Sequence, residues 1–259
     1  NAEMENVSCL ETTATNANFT LANMQRAKFL GSNLSGSNLD SANLRKSIFL
    51  EANLSKCNLN EADLSNSDFS RTDMSHATIV ESNLSRGRFN GANLESVDFT
   101  DSRLSMAVFF EANFKNANLN RAQVKGAKLA GGTFENTSLP RADITGADLT
   151  DAKFLNSNLS RAKLNGAILR RTDLKGSDLS EADLSIADLT GASLIEVKLI
   201  GANMERIKLN QAKLPGAQLC GAKINKAKLV QVDLSKADLS GANLTGADLT
   251  ESNLQNCDL

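Results

Sequence analysis

The chain has 259 residues and a formal net charge of −2, from 28 basic and 30 acidic residues. This balance gives no general attraction for nucleic acid, and the 11 Phe, without Trp or Tyr, are too few for a base-stacking surface. The longest apolar run, at residues 106–110, is far shorter than the roughly 20 residues of a membrane-spanning helix. We therefore expect neither nucleic-acid binding nor membrane insertion.

Residues 1–16 follow a five-residue spacing only loosely. Apolar or small residues recur at every fifth position, but Glu, Ser and Thr precede them where later units have Asn or Asp. The end of a repeat protein exposes unpaired backbone and apolar side chains and has to be covered. We therefore predict that residues 1–16 form an N-terminal cap or an irregular first coil.

Residues 17–259 follow the spacing without a break. From Phe19 to Leu259 every fifth residue is Leu, Phe, Met, Ile or Val, which gives 49 consecutive units. In 45 of the 49 units a small residue (Ala, Ser, Thr, Cys or Gly) lies two positions before this centre, with a mostly polar residue between them. A period of five would spiral around an α-helix and would alternate faces in a flat strand. The pattern instead predicts a chain that turns a corner in each unit and points every centre inward.

The placement of Phe predicts the number of sides. Five Phe centres are spaced by twenty residues, at Phe29, Phe49, Phe69, Phe89 and Phe109. Offset stacking of like rings in adjacent coils would produce this spacing. Twenty residues per coil means four units per coil. We therefore predict an all-β fold, a four-sided parallel β-helix of about twelve coils of 20 residues over residues 17–259.

Units of the form A(D/N)Lxx, such as Ala242-Asn243-Leu244-Thr245-Gly246, resemble those of the pentapeptide-repeat family. The resemblance covers residues 17–259 and implies a right-handed quadrilateral β-helix. Members of the family include DNA mimics that protect gyrase, proteins of cyanobacterial differentiation or the thylakoid lumen, and bacterial effectors. Several members dimerise end to end, which implies a homodimer through the C-terminal coil.

Residues that could carry catalysis are few. The single histidine, His76, lies on an outward corner, and the carboxylates are the outward members of their units, with no cleft to shift a pKa. We therefore expect no enzyme activity, no metal and no cofactor. The coil geometry keeps Cys9, Cys57, Cys220 and Cys257 apart. Four free thiols favour a reducing compartment such as the cytoplasm, while the resemblance leaves the chloroplast, the thylakoid or delivery to a host cell open.

Basic residues are concentrated in residues 196–236, which contain eight basic and three acidic residues. At twenty residues per coil, the lysines at 198, 208, 213 and 223 fall on four different sides. We interpret this segment as a belt rather than a one-sided patch, which does not suit nucleic acid.

Apolar residues replace outward polar ones on the side that carries the Phe centres. Contiguous exposed apolar residues often mark a contact surface. The candidate partner-binding surface consists of two clusters, Leu30, Ile48 and Leu50 in two adjacent coils and Met106, Val108 and Phe110 three coils further along. Asp68, Ser70, Arg88 and Asn90 lie between the two clusters.

The function that these features favour is a non-enzymatic scaffold that binds a protein partner through a face or an end of the β-helix. Two alternatives stay open. A gyrase-protecting DNA mimic would need acidic faces, and the outward residues here are mixed in charge. The chain also lacks an initiator Met and ends inside a repeat, as a β-helix domain of a larger effector or complex subunit would.

Overall fold

The computed structural model describes residues 2–259, in which no helix occurs. Strands are reduced to single bridging residues at every fifth position, from Glu3 to Asp258. All bridges are parallel and join residues twenty positions apart, as in the pair Lys28 and Ile48. The chain divides into two compact units, unit 1 (Asn1–Thr133) and unit 2 (Phe134–Leu259). In each unit the bridges confirm the prediction of a four-sided parallel β-helix with 20 residues per coil.

Each corner is a turn of two residues between a centre and the next small residue. The N–H of Ala22, for example, donates to the C=O of Phe19 at 3.0 Å, which closes a four-residue turn. The second corner residue has a positive φ at every corner from residue 6 to residue 256, with Gly at fourteen corners such as Gly31 (φ 63°). This is the geometry of a type II β-turn. It explains how the chain changes direction once every five residues.

Asn and Asp are common just before the centre because their side chains cap the corners. The Asp68 Oδ1 accepts hydrogen bonds from the N–H of Ser70 at 3.0 Å and from its hydroxyl at 2.6 Å. The first corner residue has no acceptor for its N–H in the backbone ladder, so the Asx side chain two positions earlier supplies one. Pro140 and Pro215 follow Ser138 and Lys213, and proline has no N–H to cap.

The core of unit 1 contains the Phe ladder predicted from the sequence. The rings of Phe29, Phe49, Phe69, Phe89 and Phe109 stack in turn, with centroid distances of 5.0, 4.9, 5.2 and 4.8 Å. All five rings are buried. The stacking confirms the twenty-residue coil, since only residues one coil apart can meet in this way.

Unit 2 has a predominantly aliphatic core. Phe134 and Phe154 stack at a centroid distance of 4.3 Å, and the later centres are Leu, Ile and Met. The small inward residues leave room for the backbone of the neighbouring coils, and some of them also form hydrogen bonds. The hydroxyl of Ser177, for example, donates to the C=O of Phe154.

Residues 2–16 have the same backbone pattern as the later repeats. Glu3, Ser8 and Thr13 form parallel bridges with residues 23, 28 and 33. Ala2 is exposed, the other inward neighbours up to Phe19 are half-buried, and full burial of the core begins at Ala22. The backbone pattern does not change at residue 16, and the assignment of residues 1–16 to a cap stays a prediction.

Candidate interaction surfaces

The first apolar cluster of unit 1 contains Leu30, Ile48 and Leu50. Lys28, Ile48 and Asp68 follow one another along a column of bridges, and Leu30 and Leu50 occupy the corner that follows this column. Leu30 is 37% exposed, while Ile48 and Leu50 are half-buried. The structure adds Leu10, which is 56% exposed at the same corner one coil earlier. The sequence prediction missed Leu10 because it lies in the segment assigned to a cap, although its distance of twenty residues from Leu30 was visible.

The second apolar cluster of unit 1 lies within a single coil and contains Met106, Val108 and Phe110. Met106 is 60% exposed and Phe110 is 40% exposed, whereas Val108 is half-buried. Phe110 is the one exposed Phe among residues 2–259. The side chain of Met106 lies over Gly126 in the next coil. Its sulfur occupies the space of the missing side chain, 2.7 Å from the point where a Cβ of residue 126 would lie.

A polar strip separates the two clusters, at the residues that the sequence placed between them. Along the bridge column, Asp68 and Arg88 lie between Ile48 and Val108 and form an ion pair at 3.2 Å. Ser70 and Asn90 occupy the same corner column between Leu50 and Phe110. Unit 1 therefore presents two apolar patches on one side, each of which could contact a partner.

The apolar replacements also change the backbone at these corners. Lys28 and Ile48 cannot cap the residues two positions later, and the N–H groups of Leu30 and Leu50 have no acceptor among residues 2–259. At Phe110, Asn90 of the preceding coil accepts the N–H at 3.2 Å in place of the cap that Val108 cannot supply. The first cluster thus combines apolar side chains with open backbone donors, and both are groups that a partner chain could satisfy.

Unit 2 carries two features that the sequence prediction missed. Ile168 and Ile186 are 38% and 56% exposed. The basic residues at positions 206, 208, 223, 226 and 228 are all exposed and lie around one edge, with Lys208 and Lys228 joined by a bridge. The predicted four-sided distribution is correct for the lysines at 198, 208, 213 and 223. However, five of the eight basic residues share one edge, which the same twenty-residue register could have revealed.

Asp188 is the one nearly buried charged residue among residues 2–259, with 8% of its surface exposed. It lies between Ile168 and Lys208 in the bridge column. Burial acts to raise its pKa, but hydrogen bonds from Thr190 and from Arg170 outweigh this effect and hold the pKa of Asp188 below its ordinary value. Arg170 approaches the Asp188 Oδ2 with Nε at 2.9 Å and Nη2 at 2.8 Å. The negative charge at this point of the column is therefore compensated.

Groups that could support catalysis are dispersed in the structure. His76 is an exposed corner residue, and residues 2–259 hold no group of three His, Cys, Asp or Glu that could bind a metal ion. None of these residues belongs to a helix long and apolar enough to cross a membrane. A narrow cavity in the core of unit 2 has only apolar lining side chains, mostly Leu, and such cavities stay dry.

The four cysteines are unpaired and differ in their environments. Burial raises the pKa of the Cys57 thiol to about 11, against smaller opposing effects of backbone hydrogen bonds, and its Sγ donates to the C=O of Leu34 at 3.0 Å. Cys220 is exposed, whereas Cys9 and Cys257 are half-buried. The predicted end-to-end homodimer stays a prediction. The centres of the C-terminal coil become more exposed towards the end, from half-buried Leu244 to 76% exposure at Leu259.

Two family models match the chain. The model described as pentapeptide repeats (8 copies) matches six overlapping or successive segments, at residues 2–40, 17–49, 117–155, 157–194, 187–225 and 227–259. The model described as a pentapeptide repeat region matches residues 52–129. No curated protein sequence matches the chain significantly.

Solved structures similar to the chain include HetL, a pentapeptide repeat protein involved in heterocyst differentiation regulation from the cyanobacterium Nostoc sp. strain PCC 7120. HetL is 36% identical over 77% of this chain and 88% of its own, with a TM-score of 0.67. A pentapeptide repeat protein from the Arabidopsis thaliana thylakoid lumen is 32% identical over 37% of this chain and 66% of its own, with a TM-score of 0.36. The plasmid-mediated fluoroquinolone resistance protein QnrB1 is 20% identical over 74% of this chain and 90% of its own, with a TM-score of 0.37.

The likeness to HetL and the family models confirm the predicted right-handed quadrilateral β-helix. The matched segments together span most of the chain. The chain belongs to the pentapeptide repeat family.

Proposed function

We propose that the chain is a non-enzymatic scaffold that binds a protein partner through the side of unit 1 that carries Leu30, Ile48, Leu50, Met106, Val108 and Phe110. The observation that carries the proposal is the exposure of these apolar side chains on a surface whose outward positions are otherwise mostly polar. Patches of this kind mark contact surfaces more often than isolated apolar residues do.

The backbone supports the same surface. A partner that approaches the corner of Leu30 and Leu50 meets two N–H groups without acceptors next to apolar side chains. A backbone C=O of the partner could accept from either group while its side chains pack on Leu10, Leu30 and Ile48. This combination favours an extended protein segment over a small molecule.

The gyrase-protecting alternative is less well supported. A DNA mimic needs negative charge along a face, and the outward column of this side in unit 1 reads Lys28, Ile48, Asp68, Arg88, Val108 and Lys128. Only one of the six residues is acidic. A supercoiling assay with gyrase and a quinolone separates the two functions, since protection of gyrase would favour the mimic.

The test uses substitutions that the repeat tolerates. Asn just before a centre caps other corners, as Asn33 and Asn53 do, so Ile48→Asn and Val108→Asn remove apolar surface with a residue that the repeat tolerates. Ile48→Asn also supplies the acceptor that the N–H of Leu50 lacks, whereas the N–H of Phe110 already donates to Asn90. The double variant I48N/V108N, immobilised and exposed to extract of the source cells, is expected to lose the partners that wild type retains. Proteins bound by each bait are identified by mass spectrometry.

The matched control lies on two other sides of unit 1. Thr78 is an exposed outward residue in the column of Asn58, opposite the column of Ile48, and Thr13 is an exposed outward residue in the column of Asn33 on a neighbouring side. Thr78→Asn with Thr13→Asn makes two Asn substitutions outside the columns of the six apolar residues. The control should retain the partners. Identical partner sets for I48N/V108N and wild type, in proteins with equal thermal stability, would contradict the proposed surface.

A further inference from the structure

The edge of unit 2 that collects five basic residues has a definite architecture. Arg206 and Lys226 occupy the corner, Lys208 and Lys228 follow them on the side that begins there, and Lys223 precedes them on the neighbouring side. We call these residues, Arg206, Lys208, Lys223, Lys226 and Lys228, the basic edge. All five are exposed.

Like charges are stacked in the basic edge. Lys208 and Lys228 are bridge partners, so their Cα atoms lie about 4.8 Å apart in adjacent coils. Like charges at directly opposed positions destabilise a sheet. Unit 2 has stacked charges of opposite sign, as in Arg161 with Glu181 at 2.9 Å and Arg171 with Asp151 at 2.7 Å, and also the like-charged bridge of Asp238 with Asp258. The basic edge differs in that two like-charged stacks, Arg206 with Lys226 and Lys208 with Lys228, lie side by side.

Carboxylates near the basic edge do not neutralise it. Glu205 reaches Arg206 at only 3.9 Å, and none of the four lysines has an ion-pair partner among the described residues. In the same column Asp188 is already occupied by Arg170 at 2.8 Å. Asp248 borders Lys228 on the other side, where hydrogen bonds from Thr250 and, to a smaller extent, the charge of Lys228 lower the pKa of its carboxyl. The edge therefore retains most of its positive charge.

Exposed apolar side chains adjoin the basic edge. Ile186 precedes Arg206 in the corner column, and Ile168 precedes Asp188 in the column of Lys208. The side chain of Ile186 lies over Gly166, where its Cδ1 would be 3.7 Å from an added Cβ. Ile186 has a φ of 54° and is the one β-branched residue with positive φ among residues 2–259. A β-branched residue in this conformation is strained, and such strain is found preferentially at binding sites. We call Ile168 and Ile186 the isoleucine pair.

We propose that the basic edge and the isoleucine pair together bind an acidic protein segment that carries an apolar side chain next to its carboxylates. The carboxylates would contact the lysines, and the apolar side chain would pack on the isoleucine pair one or two coils away. Charge complementarity selects an acidic occupant. The adjoining isoleucines offer a surface for an apolar side chain, which favours protein over nucleic acid. Unit 2 also has no outward aromatic residue on which a base could stack.

The test measures binding of synthetic probes to the full chain by fluorescence anisotropy. The first probe is a fluorescein-labelled peptide with repeats of Glu-Glu-Leu, and the second has Ser in place of each Leu. We expect the leucine peptide to bind more tightly, and the charge reversal K208E/K228E to weaken it about tenfold, because two attractive pairs become repulsive. Added salt should weaken binding to wild type. Ile186→Asn with Ile168→Asn should remove the preference for the leucine peptide.

The matched control is K198E/K213E, which changes the net charge equally at exposed lysines on two other sides of unit 2. It should bind the leucine peptide within about twofold of wild type. Equal weakening by both double variants, or no weakening by either, would overturn the proposal. Tighter binding of a short oligothymidylate or of phosphatidylserine vesicles than of the leucine peptide would also overturn the proposal. The same holds if K208E/K228E abolished self-association of the chain and left peptide binding unchanged. These variants leave the surface proposed on unit 1 intact, so the two proposals fail separately.

Discussion

The corner at Ile186 allows a prediction about stability that is separate from binding. Its φ of 54° places an L-residue in the left-handed region, which costs roughly 1–2 kcal/mol for ordinary residues and least for Asn, Asp and Gly. Ile186 is 56% exposed, so its side chain recovers little of this free energy by burial. The preceding corner residue, Ser185, keeps its cap from the Asp183 Oδ1 at 3.1 Å in any variant of position 186. We therefore expect Ile186→Asn to raise the free energy of unfolding by about 1 kcal/mol.

The measurement is thermal unfolding followed by circular dichroism. A gain of about 1 kcal/mol corresponds to roughly 2–4 °C in Tm for a chain of this size. Ile186→Gly should give a smaller gain, because glycine also increases the conformational entropy of the unfolded chain. The reverse change at an equivalent corner, Asn156→Ile (φ 53° in the native chain), should lower Tm by a similar amount. If Ile186→Asn lowered Tm, or if Asn156→Ile left it unchanged, the corner conformation would not limit stability and the assignment of strain to Ile186 would be refuted.

Three further predictions concern the core, the ion pair and the thiols. Phe69→Ala should cost about 3–5 kcal/mol in urea unfolding, because the ring stacks between Phe49 and Phe89, whereas Phe110→Ala should cost less than about 1 kcal/mol. Arg170→Met should destabilise the chain by about 1 kcal/mol at pH 7. Because the pKa of Asp188 is lowered in the folded state, the stability that Arg170 contributes is fully present above the ordinary carboxyl pKa and is lost as pH falls through the lowered value, so the two unfolding curves should converge in acid. In the native state iodoacetamide should modify Cys220 quickly and leave Cys57 unmodified until denaturant is added, as peptide mass spectrometry will show.

The sequence predicted the fold because its period is incompatible with other regular structures. The twenty-residue spacing of Phe29 and Phe49 predicted the ring stack that the structure contains. It could not show the type II geometry of the corners, since most second corner residues with positive φ are not glycine. Asp, Asn, Arg and Glu all occupy these positions, and the backbone conformation follows from the closure of the coil rather than from local propensity.

The candidate surfaces could be predicted only in part. The register placed Ile48 and Phe110 on one side with Asp68 and Arg88 between them, but it could not show that Asp68 and Arg88 form an ion pair. It also could not show that Arg170 reaches Asp188 from the coil before, which depends on side-chain conformation. The basic edge was accessible in principle, because corner residues such as Arg206 share the register of the lysines beside them.

Departures from the repeat are more informative here than the repeat itself. A side chain of the type usual at its position in the repeat, such as Asp68 just before a centre, is explained by the hydrogen bond that it accepts from the N–H of Ser70 at the following corner. A side chain that departs from the repeat, such as Ile48, leaves the N–H of Leu50 uncapped and therefore costs stability that the fold alone does not require. The stacked Lys208 and Lys228 are costly because like charges at opposed positions repel each other. Because replacing these residues by the Asn found in other coils should not weaken the fold, a loss of binding in such variants can be assigned to the surface and not to unfolding.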